Sequence, residues 1–188
     1  MSGGDDVQMN YLLQGFGVFL GVIAGTVVTI LVQLYLQHLS ETQQTRNLKF
    51  ELGLNIQKIE SWLEELKLYR NAVNGESLHT CFGYFDMSRI VSVTAYAMLQ
   101  SGLLYKKLTS DQMGQLLVIF SEFSAHGEQF INNQFSFFRQ EFERCRGENK
   151  ITEWISGMKP EVIKYVDFWE RKFRDHQSAL RKIVESLP

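Results

Sequence analysis

An uncharged stretch near the N-terminus constrains this chain more than any other feature. It runs from Tyr11 to Leu36, and no Asp, Glu, Lys or Arg occurs between Asp6 and Glu41. A helix of about 20 apolar residues crosses the hydrocarbon core of a bilayer, at a rise of about 1.5 Å per residue. The sequence therefore predicts one membrane-spanning helix over residues 11–36, followed by a longer stretch of mixed polar and apolar protein.

The overall composition shows that the hydrophobicity is concentrated at one end of the chain. The 188 residues have a mean hydropathy of −0.14, a net charge of −2 and a pI near 6.1. This length leaves room for the span and one compact domain. The near-neutral charge provides no general attraction to nucleic acid. Cys81 and Cys145 have neither metal-ligand spacing nor a disulfide pattern, so we expect both to be inert or buried in a reducing compartment.

A cleaved signal peptide is the competing interpretation of the N-terminus. The residues before the apolar stretch include two aspartates and no basic residue, the stretch is longer than a signal-peptide core, and no A-x-A-like cleavage site follows it. Arg46 and Lys49 follow the stretch, and the positive-inside rule then places the C-terminal domain in the cytoplasm. We therefore expect a retained anchor, with residues 1–10 outside and residues 37–188 in the cytoplasm.

Small and polar residues share one face of the predicted membrane helix. At 100° per residue this face carries Gln14, Gly17, Gly21, Gly25 and Thr29, with Gln33 near its C-terminal end. Small residues let helix backbones approach closely, and Gln and Thr can hydrogen-bond across, whereas a Leu-rich face gains nothing over lipid. The pattern predicts self-association and is also compatible with lining a narrow pore, but it does not distinguish a dimer from a ring. The plainer interpretation is that glycine is common in membrane helices.

The remainder of the chain predicts an all-α bundle of four or five helices. Apolar residues recur at steps of three and four, only two prolines occur, and no region alternates with period two. We expect helices over about 41–73, 86–100, 109–146 and 158–187, with Thr109 beginning the third, Gly127 bending or dividing it, and Pro160 in the first turn of the fourth. The apolar stripe of the first helix predicts either a coiled-coil seam or one wall of the bundle.

Each long helix has a predicted core stripe. The loop between the first two helices, from Asn74 to Phe85, is expected to pack onto the bundle through its aromatic residues. Phe135 and Phe137 fall off the stripe of the third helix, and one of them is expected to mark a second contact surface. The stripes are Leu48, Leu52, Ile56, Ile59, Leu63 and Leu66 in the first helix; Leu116, Phe120, Phe123, Phe130, Phe138 and Phe142 in the third; and Val162, Tyr165, Val166, Trp169, Phe173, Leu180, Ile183 and Leu187 in the fourth.

One short motif offers candidate chemistry. Arg171 and His176 have the R-x4-H spacing and resemble the R-x4-6-H signature of HEPN ribonucleases, small all-α domains in which Arg and His from two protomers meet and cleave RNA. A His can transfer the 2′-hydroxyl proton, and an Arg can stabilise the developing negative charge. Five residues turn by about 140° along a helix, so we expect His176 on the core stripe and Arg171 on the polar face. The plainer interpretation is a packed histidine and a solvated arginine.

The architecture as a whole resembles the small membrane accessory proteins of type VI-B CRISPR systems. The likeness rests on the span Tyr11–Leu36 and on Arg171 and His176 in a divergent HEPN-like region, 160–188. The resemblance implies a non-enzymatic protein of the bacterial inner membrane that forms a ring-shaped pore and depolarises the membrane once an RNA-guided ribonuclease is triggered by viral RNA. The implied partners are further copies of itself, membrane lipid and the CRISPR ribonuclease, without direct sequence-specific binding of nucleic acid.

Two alternatives remain open from the sequence. One is a membrane-tethered HEPN ribonuclease that uses Arg171 and His176, and the other is a membrane scaffold that recruits a nuclease without forming a pore. The sequence holds no glycine-rich phosphate loop, nucleophile elbow or paired-histidine motif, so we expect neither a cofactor nor a metal.

Overall fold

The computed structural model describes residues 4–75, 85 and 87–188, with side chains described from residue 21 onward. All regular secondary structure in these residues is helical, as predicted. The contacts divide the chain into two units, Met1–Gln44 and Thr45–Pro188. The helices are α1 (Gly4–Asn74), α2 (Val93–Gln100), α3 (Leu103–Lys107), α4 (Ser110–Glu122), α5 (Ala125–Gly147), α6 (Ile151–Glu153), followed by a π-helical turn (Trp154–Met158), and α7 (Lys159–Ser186).

The first unit is the N-terminal part of α1. Every side chain from Gly21 to Ser40 is exposed, although most of them are apolar. α1 is long and apolar enough to cross a membrane, with a mean hydropathy of 1.6 in its most apolar window. Chain contacts within the protein therefore leave this apolar surface uncovered.

The C-terminal part of α1 forms one wall of the core of the helical domain, which we define as residues 45–188. Trp62 contacts Phe123 and Phe173 of the same chain, with ring centroids 5.3 and 5.4 Å apart. The apolar stripe predicted for the first helix thus forms a wall of the bundle. Two of its predicted members, Ile56 and Leu63, are only partly buried beside the core. Most buried positions of this segment alternate by three and four: Thr45, Leu48, Leu52, Asn55, Ile59, Trp62, Leu66, Tyr69 and Val73. Glu51 is buried beside them.

The predicted second helix, 86–100, begins too early. Residues 87–92 form no helix, and α2 starts only at Val93. Two asparagine side chains satisfy the backbone of this segment instead. Asn55 donates to the carbonyl of Val91 at 2.6 Å and accepts from its N–H at 2.7 Å, and Asn132 makes the same pair with Met87 at 2.8 and 2.9 Å. These amides supply the partners that buried backbone groups require, in place of helical hydrogen bonds.

The predicted third helix is divided into α4 and α5. Thr109 caps α4 through a capping box with Gln112, and Ser124 caps α5 by accepting a hydrogen bond from the N–H of Gly127. The break falls at residues 123 and 124, three residues before the glycine that indicated it. A β-carbon on Gly127 would lie 1.7 Å from the carbonyl oxygen of Glu122, so only glycine permits this junction.

The restart of the helix at Ser124 changes which aromatic residues of α5 are buried. Phe130, predicted to belong to the core, is 65% exposed, and Phe135, predicted to lie off the core stripe, is buried. Phe137 is exposed, as its position off the stripe indicated. The prediction extended the register of α4 across the break, and this is why Phe130 and Phe135 were assigned to the wrong faces.

The observed bounds and packing of the last helix agree closely with the prediction from the sequence. α7 runs from Lys159 to Ser186 with Pro160 in its first turn, and its predicted stripe is buried except for the half-buried Tyr165. Phe85 packs on Phe135, with centroids 4.6 Å apart, as expected of the loop aromatics. The other loop residues, 76–84, lie outside the described residues, and Cys81 is among them, whereas Cys145 is buried.

Candidate functional site

A polar cluster joins the end of α4 to the middle of α7. The Nε2 atom of His176 lies 2.6 Å from Oε2 of Glu122, and the ammonium group of Lys172 donates a hydrogen bond to the other carboxylate oxygen. The ring of Phe123 meets the imidazole edge to face, with centroids 5.3 Å apart. The side chain of His176 is only 12% exposed. His176 therefore packs between the two helices with its Nε2 atom engaged.

The environment of Glu122 keeps its carboxylate ionised. Partial burial raises the pKa of Glu122, but the hydrogen bonds and charges of Lys172 and His176 together outweigh this effect and hold the pKa below its ordinary value. A carboxylate with two such partners binds α4 to α7 across the surface of the core. The arrangement serves packing and charge pairing between the helices.

Arg171, the other half of the R-x4-H motif, lies apart from this cluster. It is exposed on the polar face of α7, while His176 faces α4, as the turn of about 140° predicts. Among the described residues, no hydrogen bond or ion pair joins Arg171 to His176. A single chain thus does not bring the two residues of the motif to one site.

No other described part of the chain packs against the glycine face of α1. Apart from neighbouring backbone of the same helix, no heavy atom of the described chain lies within 4 Å of the place where a β-carbon on Gly21 or Gly25 would be. The hydroxyl group of Thr29 donates to the carbonyl of Gly25 at 2.8 Å, which leaves its oxygen as an acceptor on the helix surface. Gln33 is exposed. Gln14 and Gly17, predicted on the same face, lie in the helix but outside the residues whose side chains are described.

A second surface, which the sequence reasoning missed, lies between α5 and α7. Phe130, Phe137 and Phe168 are all exposed. Phe168 lines two shallow pockets between these helices, one with Phe137 and the other with Phe130. The seven-residue interval between Phe130 and Phe137 places both on one face of α5. That interval was the available signal, but the assumed continuous helix assigned Phe130 to the core. We call this surface the aromatic groove, defined by Phe130, Phe137 and Phe168.

Metal ligation finds no support in the described part of the chain. There, no three His, Cys, Asp or Glu side chains come together in a group that could hold a metal ion. Comparison of the chain with known protein families, curated proteins and solved structures finds no match. Over the part of the chain that the structure describes, the fold is all-α, with one helix that could span a membrane.

Proposed function

We propose that this chain is a non-enzymatic membrane protein whose copies associate through the glycine face of α1 and perturb the bacterial inner membrane by forming a pore. The observation that carries the proposal is the uncovered glycine face at Gly21 and Gly25, in a stretch of α1 from Gly21 to Ser40 whose side chains are all exposed. An exposed apolar surface of this length is unfavourable in water, and the hydrocarbon core of a bilayer would cover it.

Only one face of α1 favours association with another helix in lipid. Within lipid, the Leu, Val and Ile faces of α1 gain nothing from another helix, because lipid tails are equally apolar. The backbone at Gly21 and Gly25 gains close packing and weak Cα–H···O contacts when a second helix approaches. The oxygen of Thr29 and the amide of Gln33 add hydrogen-bonding groups to the same surface.

The biological setting follows from the resemblance to the type VI-B accessory proteins. In this proposal, the helical domain lies in the cytoplasm, where an RNA-guided ribonuclease triggered by viral RNA activates the assembly and the membrane loses its potential. Arg46 and Lys49, which follow the apolar stretch, support this orientation. The protein would thereby enhance antiphage defence without cutting RNA itself.

The contacts of His176 support a role without catalysis. A general base needs a ring nitrogen within reach of the substrate hydroxyl, but Nε2 of His176 is engaged by Glu122 and the side chain is nearly buried. Arg171 is exposed elsewhere on α7. The ribonuclease alternative would require both residues to be rearranged when two chains meet.

The experiment compares Gly21→Leu with the control Ile30→Leu, which lies on the opposite face of the helix. Cells that carry the ribonuclease partner are challenged with phage, and membrane potential is followed with a voltage-sensitive dye. We expect Gly21→Leu to lose depolarisation and protection, because the larger side chain keeps the backbones apart, and Ile30→Leu to retain both. Full protection by Gly21→Leu would overturn the proposal, and protection without depolarisation would favour a scaffold.

A further inference from the structure

One end of the helical domain is rich in basic residues. It is formed by the start of the domain on α1, by the corner from α2 to α4 and by the end of α7, which are residues 45–55, 93–112 and 179–188. These three segments hold six basic and three acidic residues, whereas the rest of the chain holds thirteen basic and eighteen acidic residues. We call the three segments together the basic end.

The pairing of α1 with α7 brings the first of these segments beside the last. Trp62 of α1 contacts Phe173 of α7, with ring centroids 5.4 Å apart. Arg70, farther along α1, binds Glu170, which stands earlier on α7, at 2.8 Å. The two helices therefore run antiparallel, and because both have the same rise per residue, the start of the domain on α1 lies level with the last turns of α7.

Hydrogen bonds hold α2 and α4 at the same end. The carboxylate of Glu51 accepts from the N–H groups of Thr94 and Ala95, in the first turn of α2, at 2.7 and 3.1 Å. The side-chain amide of Gln112, in the first turn of α4, donates to the hydroxyl group of Ser186 at the end of α7, at 2.9 Å. The short helix α3 connects α2 to α4 and contacts both, so it lies at this end too.

The acidic residues of the basic end do not neutralise its cations. Glu51 is buried, and its carboxylate is bound to the backbone of α2. Asp111 and Glu185 are exposed and form no ion pair within the described residues. Five basic side chains of this end likewise form no ion pair with any described residue: Arg46, Lys49, Lys107, Arg181 and Lys182.

Many cations elsewhere in the domain are paired with carboxylates of the same chain. They are Arg70, Arg89, Arg144, Arg146, Lys150, Lys164, Lys172 and Arg174. The basic end differs in that its positive charge is left for a partner outside the chain. Such a surface attracts an anionic partner.

Two exposed aromatic side chains stand among these cations. Phe50 is 69% exposed and follows Arg46 by one turn on the same face of α1. Tyr105 is 67% exposed on α3, directly before Lys106 and Lys107. Aromatic rings beside lysine and arginine are typical of the interface between membrane and water, where the rings enter the headgroup layer and the cations reach lipid phosphates.

We infer that the basic end binds the headgroups of anionic lipids at the surface of the membrane that α1 spans. The inference rests on the proposed function, because it takes α1 to span that membrane. Residues 37–44 connect the apolar stretch to the domain, and a fully extended chain of this length covers about 30 Å. The basic end is thus tethered near the bilayer, where an anionic leaflet attracts Lys and Arg side chains that come within about 10 Å of its surface.

The tether favours lipid over nucleic acid, the other polyanion that basic residues bind. The bilayer stays within reach of the basic end at all times, whereas nucleic acid must arrive from solution. Domains held on one leaflet also meet in a single plane, which favours the association of copies through α1.

The test measures how closely the basic end approaches lipid headgroups, with the full chain in vesicles. Cys81→Ser is the background, and the buried Cys145 is retained. A maleimide fluorophore is attached at Ser110→Cys, exposed at the basic end, or at Ser136→Cys, also exposed but on α5. The vesicles contain phosphatidylcholine alone or with phosphatidylglycerol, together with a trace of lipid that carries a nitroxide quencher on its headgroup.

We expect phosphatidylglycerol to increase the quenching of the label at residue 110, and added salt to remove this increase, because screening weakens the attraction. The label at residue 136 should be quenched little in either vesicle. Its neighbour Phe135 packs on Tyr165 near the start of α7, with centroids 5.4 Å apart, and so lies away from the basic end. Single-stranded RNA added to the vesicles should leave the quenching unchanged.

Paired charge variants then test the cations themselves. Each Lys or Arg adds about fivefold to partitioning onto an anionic surface, so Arg181→Gln with Lys182→Gln should lose most of the added quenching at residue 110. Lys67→Gln with Arg139→Gln, which removes the same charge elsewhere in the domain, should retain it. All four side chains are exposed and form no ion pair with a described residue, so thermal unfolding is expected to be unchanged.

The outcomes separate the two proposals. Quenching at residue 110 that is absent, or equal with and without phosphatidylglycerol, overturns lipid binding by the basic end while the protein still resists alkaline extraction from the vesicles. Equal quenching at residues 110 and 136, or equal losses in the two charge variants, overturns it as well, and quenching lost on adding RNA assigns the surface to nucleic acid instead. Removal of the wild type from the vesicles by alkaline extraction overturns the span, and with it the proposed function and this inference together.

Discussion

Gly127 lies so close to the backbone of Glu122 that a β-carbon on residue 127 would sit 1.7 Å from the carbonyl oxygen. The contact joins the last turn of α4 to the first turn of α5. The side chain of the same Glu122 binds Lys172 and His176 on α7. The close approach of Gly127 to Glu122 therefore marks the break between α4 and α5. The carboxylate of Glu122 connects this junction to α7.

Gly127→Ala should destabilise the protein by about 3 kcal/mol, because backbone atoms at the junction must move apart to admit the methyl group. Gly114→Ala is the matched control. Gly114 lies inside α4 with nothing within 4 Å of an added β-carbon, so this change should stabilise by up to about 1 kcal/mol through helix propensity. Thermal unfolding followed by circular dichroism measures both. Equal, small effects of the two substitutions would contradict the assigned junction.

The carboxylate of Glu122 should make stability depend on pH in the acidic range. Its pKa is held below the ordinary value of 4.5. The lowered pKa contributes stability that is present above that value and is lost as the pH falls through the folded pKa. We expect wild type to exceed Glu122→Gln in melting temperature near neutral pH, and the difference to shrink below about pH 4. A difference that stays constant down to pH 3 would contradict this assignment.

His176 and Arg171 should differ in what they contribute to the fold. His176→Ala removes a hydrogen-bond partner from a charged group and should cost about 1–2 kcal/mol, whereas Arg171→Ala should change stability by less than about 0.5 kcal/mol because Arg171 is exposed. Unfolding of the detergent-solubilised chain checks this, with His176→Gln expected to fall between wild type and His176→Ala. RNA decay lost in both alanine variants, with the fold retained, would instead support the ribonuclease alternative.

Asn55 should be a highly sensitive polar residue of α1. It is fully buried, and it alone serves both backbone groups of Val91 among the described contacts. Asn55→Ala should cost about 3 kcal/mol, because it leaves a buried donor and acceptor without partners, and should speed hydrogen exchange at the Val91 amide. Gln57→Ala, exposed on the same helix, is the control and should be nearly neutral. Similar losses in both would contradict the role of Asn55.

The parts of the fold that the sequence predicted are those in which local signals agree with the packing. Thr109 begins α4, Pro160 stands in the first turn of α7, and the core stripe of α7 is buried nearly as predicted. The errors arise where distant side chains replace local hydrogen bonds. Nothing within residues 86–92 indicates that Asn55 and Asn132, far away in the chain, will satisfy that backbone and prevent a helix.

In the candidate site, too, the sequence predicted the features that depend on one helix and not those that depend on tertiary packing. The angle between Arg171 and His176 follows from the geometry of one helix, so the sequence predicted it. The partner of His176 is Glu122, 54 residues earlier, and this pairing depends on how α4 packs against α7. The exposure of Phe130 depends on the break at residue 124, which resets the register of α5. Such features follow only from the tertiary arrangement.

The assembly of copies through α1 is tested most directly by the mass of the full-length protein extracted in mild detergent, measured by native mass spectrometry with Gly21→Leu alongside. We expect a closed assembly of several identical chains for wild type and smaller species for Gly21→Leu. A wild type that remains a monomer, at concentrations where its helical domain is folded, would contradict it.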